Sequence, residues 1–343
     1  MTSPPPLSPW QQAALRALEE KRFFKLILGG SFTDTQKADC LSAIYAAAGA
    51  DCIDIAPDAA VLNAVENGLS ALPASQARPM VMISLPLDPD PHFRKIELNE
   101  PQCILCGLCA PVCPTDAIEM TAHALLIAQP LCYGCGRCPA VCPTDALKLN
   151  PIHPDPQAVS DLLAHPLVQA VEIHTQHADP YMWPEFEALY GRALFGKALS
   201  LCFRPQRLEE RQALEFLGLV QAFAQRLQPD FPLILQIDGE PMSGSDDPQA
   251  ALPSLQAARA FWQVHGARFP FITVSGGVNA ATADYLRQSP YAFISGAGMG
   301  TVARRAVWDA LASDDPSAAV ARARRLMAGF RRSSASAIIE ESL

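Results

Sequence analysis

Short apolar runs alternate with longer stretches of helix-period sequence along most of the chain. Phe23–Phe32 (FFKLILGGSF), CIDIAP at 52–57, Val81–Leu87, AVEIHT at 170–175, ALSLCF at 198–203, LILQIDGE at 233–240, FITVSGG at 271–277 and YAFISGAGMG at 291–300 have the pattern of buried strands. Between them Trp10–Lys21, Thr35–Ala48, Asp58–Leu69, Pro156–Leu163, Pro184–Leu194, Leu208–Leu227, Leu252–His265, Ala280–Gln288 and the chain from Ala303 onward read as helices. Asp58 is placed to cap the third of these. Strand and helix in strict alternation argue for a parallel sheet.

The alternation breaks once, after the third strand. There the chain reads CILCGLCAPVCP and then CYGCGRCPAVCP. Cys103, Cys106, Cys109 and Cys113 form C-x2-C-x2-C-x3-C-P, and Cys132, Cys135, Cys138 and Cys142 repeat it. This is the bacterial ferredoxin ligand run, in which three thiolates serve one cluster and the fourth reaches across to the other. Cys103, Cys106, Cys109 and Cys142 are thus expected on one [4Fe–4S] cluster, and Cys132, Cys135, Cys138 and Cys113 on a second. Both runs continue Pro-Thr-Asp-Ala, so the segment is an internal duplication. Zinc sites come as CxxC pairs rather than triplets, and disulfides impose no repeated spacing. Gly107, Gly134 and Gly136 suit loops whose backbone passes close to sulfide.

With that segment set aside, eight strand–helix units in roughly 280 residues fit a (β/α)8 barrel. The rival, an open doubly wound sheet, wants a nucleotide fingerprint after the first strand, but that loop is Gly29-Gly30-Ser31-Phe32. The expected fold class is therefore α/β, a TIM-like (β/α)8 barrel with a bacterial-type two-cluster ferredoxin module inserted after strand 3. Residues 1–90 carry strands 1–3, 91–150 the module, 151–330 strands 4–8, and 331–343 a flexible tail.

Half of the 343 residues are hydrophobic, enough for a large core. Eight of the eleven cysteines are spent on the two runs; Cys40, Cys52 and Cys202 lie in apolar surroundings and read as core. Cluster assembly and free thiols point to a reducing compartment. No stretch is long and apolar enough to span a bilayer, and MTSPPPLSPW lacks the features of a signal peptide, so the expected location is cytoplasmic. A net charge of −9 argues against nucleic acid as partner. Between Asp88 and Asp155 eight acidic residues face four basic ones, either a steering field for a basic redox partner or a solvated face. The Arg-rich final helix (Arg322, Arg324, Arg325, Arg331, Arg332) reads as a solvated face ahead of a lipid or partner contact.

Active sites of such barrels lie at the C-terminal ends of the strands, here Ser31, Asp54, Ser84, His174, Arg204, Asp238, Ser275 and Ser295. Glu172 with His174, Gln236 with Asp238 and Thr273 with Ser275 share an inward face by period-two spacing. Such groups either bond to one another or line a cavity, and the cavity is the expectation. His174 and Asp238 are candidate acid and base, with Arg204 holding a carboxylate or phosphate. Lys25 either approaches a flavin ring or snorkels outward. The glycine loops holding Gly276 and Gly277, and Gly296, Gly298 and Gly300, stand where these barrels bind phosphate, so FMN or another phosphate-bearing ligand is the candidate there. The alternative is that glycine merely makes tight turns.

KLILGGSF, AGADCIDIAPDAAVLNA and LCYGCGRCPAVCP together resemble the cyanobacterial light-dependent period protein (LdpA) family. The resemblance implies an iron–sulfur protein that reports cellular redox state, and hence light, to the circadian clock through redox or clock-signalling protein partners. Two functions remain open. One is a redox sensor carrying two [4Fe–4S] clusters. The other is a flavin-dependent oxidoreductase in which the clusters pass electrons to a barrel-bound FMN.

Overall fold

A computed structural model describes residues 3–205, 210–240, 244–312 and 315–331. The first part of the chain forms α1 (Pro9–Glu19), β1 (Phe23–Ile27), α2 (Thr35–Ala48), β2 (Cys52–Ile55), α3 (Ala59–Ser70) and β3 (Met80–Pro86). The cysteine segment adds β4 (Arg94–Leu98), β5 (Ile118–Met120), β6 (Leu125–Ile127), the single turn α4 (Arg137–Ala140) and β7 (Leu147–Pro151). Then follow α5 (Pro156–Leu163), β8 (Val168–His174), α6 (Trp183–Tyr190), β9 (Ala198–Phe203), α7 (Glu210–Leu227) and β10 (Ile234–Ile237). The chain is completed by α8 (Leu252–His265), β11 (Phe271–Val274), α9 (Thr282–Leu286), β12 (Gly296–Met299), α10 (Thr301–Ala312) and α11 (Pro316–Arg331).

Eight strands close into a parallel barrel in the order β1, β2, β3, β8, β9, β10, β11, β12. Local chemistry sets the helix ends that frame it. Asp34, Asp58 and Asp155 accept from the first-turn N–H groups of α2, α3 and α5, and Gly49 ends α2 with φ of 95°. The base is plugged by α1, whose Ala14, Ala17 and Leu18 meet Phe23, Met80, Met82 and Phe271 from the strands. Ser8 and Gln11 form a capping box, and Gln11 reaches on to the carbonyls of Gln169 and Gly196.

The base also carries a pH-dependent contact. Lys197 donates to the Val168 carbonyl (2.7 Å), and burial lowers its pKa from 10.5 to about 8. Between those values the unfolded chain binds more protons than the folded one, so stability rises with pH across that window. Lys197→Met is expected to flatten the rise. Thermal midpoints from pH 8 to 10 check this, and parallel curves for the two proteins would contradict it.

The eighth strand differs from its sequence expectation. YAFI is apolar enough to read as a strand, but Pro290 starts a single 3-10 turn at Ser289–Tyr291, and the strand is Gly296–Met299. Ser295 therefore stands at the base of the barrel, and Gly296 and Gly298 lie in the strand rather than in a loop. A Cβ at Gly296 would overlap the Phe23 carbonyl of β1, which is why glycine stands there. Three arginines of the final helix also contact the protein itself, while Arg324 and Arg325 stay exposed on its solvated face. Arg324 donates to the Ala47 carbonyl, Arg331 pairs with Asp51, and Arg322 lies 3.8 Å from Asp309. Arg332 and the rest of the expected tail lie outside the described residues, as does the start of the helix expected from Leu208. Among the described residues no helix is long and apolar enough to cross a membrane.

Candidate functional site

The duplicated cysteine sequence folds into duplicated structure. β4 leads into the first run and pairs with β7, which leaves the second; β5 leaves the first run and pairs with β6, which leads into the second. This exchange of strands carries each run's last cysteine to the other run. A hollow of about 20 Å³ lies among Cys113, Cys132, Cys135 and Cys138. Burial, followed by the Cys135, Cys132 and Cys113 thiols, pushes Cys138 up to about 12. Cys109 is raised likewise by burial, with Cys106, Cys103 and Cys142 adding to it. The eight thiols thus stand as two groups of three plus one. Neighbouring thiols that disfavour one another's ionisation suit a cationic iron centre, which draws their protons off.

Backbone details repeat between the halves. Leu105 and Gly134 have φ of 53° and 71°, Gly107 and Gly136 76° and 81°, and Asp116 and Asp145 55° and 53°. The Ala117 N–H donates to the Cys113 sulfur at 3.2 Å and the Ala146 N–H to the Cys142 sulfur at 3.3 Å. Gly134 is required for space, since a Cβ there would meet the Arg94 carbonyl oxygen at 2.5 Å.

The two runs part company at one equivalent position. Ile104, after the first cysteine of run one, is 64% exposed; Tyr133, after the first cysteine of run two, is 8% exposed. Tyr133 enters the barrel mouth, its hydroxyl 2.9 Å from Thr301 Oγ1 at the start of α10. The buried Arg304 guanidinium stacks 4.7 Å from its ring and donates to the carbonyls of Ile27 and Leu28. Burial, opposed by Arg304, raises the Tyr133 phenol to about 12, so it stays neutral. Further bonds tie this run to the barrel. The Thr33 N–H donates to the Pro130 carbonyl (2.9 Å), and Arg137 to that of Gly244 (2.9 Å). Gly30 is glycine because the Phe93 ring lies 2.7 Å from where its Cβ would be.

Inside the barrel the polar residues bond to one another rather than framing a large cavity. Lys25 pairs with Glu172 (2.5 Å), and Glu172 also accepts from Ser200 (2.8 Å) and Gln236 (2.9 Å). Burial opposes the Lys25 charge, but Glu172 and then Asp54 outweigh it and raise its pKa. Lys25 thus points inward to Glu172 rather than snorkelling outward. Ser84 donates to Asp54 (2.6 Å), whose carboxyl burial raises to about 6 despite Lys25. The remaining space at the mouth is about 60 Å³, room for about two waters. Ligand pockets generally offer about 300 Å³ or more, so among the described residues the mouth as it stands does not accommodate a flavin.

The residues singled out in the sequence reach this mouth without forming an acid–base pair. His174 contacts Glu172 (3.2 Å) and Ser84 (3.2 Å), while Asp238 is held by Arg204 (3.0 Å) and Ser275 (3.1 Å). Arg204 also pairs with Glu240 (2.9 Å), so its fork already holds the protein's own carboxylates. Gly276, Gly277, Gly298 and Gly300 line the space, and Gly296 does not. Gly276 and Gly277 have φ of 72° and 70°, and a Cβ on either would overlap the backbone of Gly239 or Ala250. The turn itself needs these glycines. At the start of α10, where such barrels bind phosphate, Tyr133 already sits.

Sequence reasoning missed His92 and Asp90, which come from the LDPDPHF segment leaving β3. His92 pairs with Asp90 (2.7 Å), and its ring lies 5.0 Å from that of His174. Burial opposes the His92 charge, yet Asp90 raises its pKa to about 9. The alternating Asp-Pro-Asp-Pro-His after a strand end was the available signal. It pins a charged turn at the mouth.

Comparisons with known proteins complete the picture. A family model described as the LdpA Fe-S cluster-binding domain matches residues 109–151, and one described as the Light dependent period A C-terminal domain matches 162–332. A 4Fe-4S binding domain model matches residues 96–119. The curated "Light dependent period A" of Synechococcus elongatus is 31% identical over 306 residues, covering 84% of this chain and 82% of that protein. Among solved structures, tryptophan synthase subunit alpha from Legionella pneumophila aligns with a TM-score of 0.47 at 10% identity, covering 95% of this chain and 98% of that one. A Rubisco-like protein from Rhodopseudomonas palustris aligns with a TM-score of 0.43 at 13% identity, covering 96% and 69%.

Proposed function

This chain belongs to the light dependent period A family and is an iron–sulfur protein, and from that premise we propose that it is a cytoplasmic two-cluster redox sensor feeding the circadian clock. Cys103, Cys106, Cys109 and Cys142 hold one [4Fe–4S] cluster, and Cys113, Cys132, Cys135 and Cys138 the other. When bound, the clusters supply one-electron transfer, a reduced carrier losing one electron and the protein gaining it with no covalent bond made or broken.

The observation that carries this reading is Tyr133. It follows Cys132 directly, and it is held in the barrel by Thr301 and Arg304. A change of charge at the second thiol group therefore acts on a side chain that braces β1, the loop after it and the start of α10. The first run is the entry side. Cys106 is exposed, and Ile104, Leu105 and Leu108 form an apolar rim around it that suits a protein electron carrier. The clock-signalling partner then reads the barrel.

Hydrogen exchange on the oxidised and dithionite-reduced protein tests this. Reduction is expected to change protection at residues 27–33 and 300–305, and Tyr133→Ala to abolish that change while changes at 96–151 persist. A response confined to 96–151 in the wild type would defeat the reading.

A further inference from the structure

Three side chains meet where the module joins the barrel. Asp90 and His92 come from the segment leaving β3, and His174 ends β8. Each brings one ligand-type atom within 4.8 Å of the other two. None of the three belongs to the cysteine runs.

The hydrogen bonds around His174 decide what its ring offers. Ser84 has a single proton and gives it to Asp54 at 2.6 Å. Toward His174 Nε2, at 3.2 Å, the Ser84 oxygen can only accept, and so can Glu172 Oε1 on the same nitrogen. Nε2 therefore carries the hydrogen, and in the neutral ring Nδ1 carries the lone pair. Nδ1 is fully buried and has no hydrogen-bond partner, in a residue only 6% exposed. An acceptor left so is costly.

The surroundings are those of a metal ligand shell with its outer supports. Metal-binding histidines typically hold their second N–H toward a carboxylate, and Nε2 stands 3.2 Å from Glu172 Oε1. Asp90 keeps its second oxygen on Gln176 Nε2 (2.6 Å), and His92 Nε2 stands 4.0 Å from Asp238. The neighbouring group Glu172, His174 and Cys202 also lies within ligand spacing. Its carboxylate, however, is already engaged by Lys25, Ser200 and Gln236.

We infer that Asp90, His92 and His174 bind a divalent transition-metal ion of the zinc class, with water from the mouth cavity completing its shell. Two imidazoles and one carboxylate are a donor set for such ions, and an open position facing a cavity is the mark of a site that also takes a ligand. The proton shared by His92 and Asp90 is what the ion displaces. The site would lock the segment leaving β3 onto the end of β8, independently of the redox reading.

The test uses full-length protein purified without oxygen, with its iron and sulfide intact. It is equilibrated with Zn(II), desalted and analysed for zinc and iron together. About one zinc per chain is expected on the wild type, with about tenfold less or lower in His92→Gln and Asp90→Asn. Gln176→Ala, which removes only an outer support, is expected to weaken zinc binding about 10–100-fold. Iron should be unchanged in all, which with the far-UV spectrum certifies folding. A wild type that holds no zinc overturns the assignment. So does zinc retained equally by wild type and His92→Gln, since the ion then sits elsewhere.

Discussion

Cys142→Ala is expected to lower iron from about eight to about four atoms per chain, with acid-labile sulfide falling in step, and to empty the group led by the other run. The pairing of β7 with β4 brings Cys142 beside Cys103, Cys106 and Cys109, as the pairing of β5 with β6 brings Cys113 beside Cys138. Native mass spectrometry counts the iron and sulfide that remain. Double variants then identify which group was lost, because two changes at one site do not add. Cys142→Ala with Cys109→Ala should be no worse than Cys142→Ala alone, whereas Cys142→Ala with Cys138→Ala should lose both clusters. The reverse pattern would mean that each run serves its own cluster.

Lys25→Met is expected to cost about 3–5 kcal/mol, a shift of several degrees in the thermal midpoint of a barrel this size. Glu172 is 0% exposed, and Lys25 is its counter-ion at 2.5 Å. Ser200 and Gln236 would still donate to it, but neither brings a charge. Adding Glu172→Gln to Lys25→Met removes the stranded charge, so the double variant should recover most of the loss. Circular dichroism melts of the three proteins measure this. A Lys25→Met midpoint equal to wild type would mean that water or movement relieves the carboxylate, and that the interior is less closed than the network implies.

Much of the frame was legible because its causes are local. Thr35–Ala48, Pro156–Leu163 and Leu252–His265 are helices over the same residues that periodicity and end signals indicate. The strands that run short of their apolar segments do so because glycine loops such as Gly29-Gly30 follow them. The eighth strand was misplaced because glycine and alanine carry no hydrophobic signal, and only the approach of Phe23 shows why GAGM is the strand. The glycines at 276 and 277 looked like an anion cradle. Their need is explained by the backbones of Gly239 and Ala250, neighbours that no local pattern reveals.

Taken by itself, the sequence determined the alternation of strand and helix, the place of the insertion and the repeated spacing of the eight cysteines in the two runs. Each of these is encoded in spacing along a few residues, where periodicity and covalent reach suffice. Only the tertiary structure decided that the barrel interior is an ion-pair network, that His92 and Asp90 join His174, and that Tyr133 sits at the start of α10. Those outcomes depend on partners far apart in the chain. Lys25 meets Glu172 across 147 residues and Tyr133 meets Thr301 across 168. Which of many polar groups become neighbours is set by how strands close and a module docks, and burial makes an unpartnered group costly.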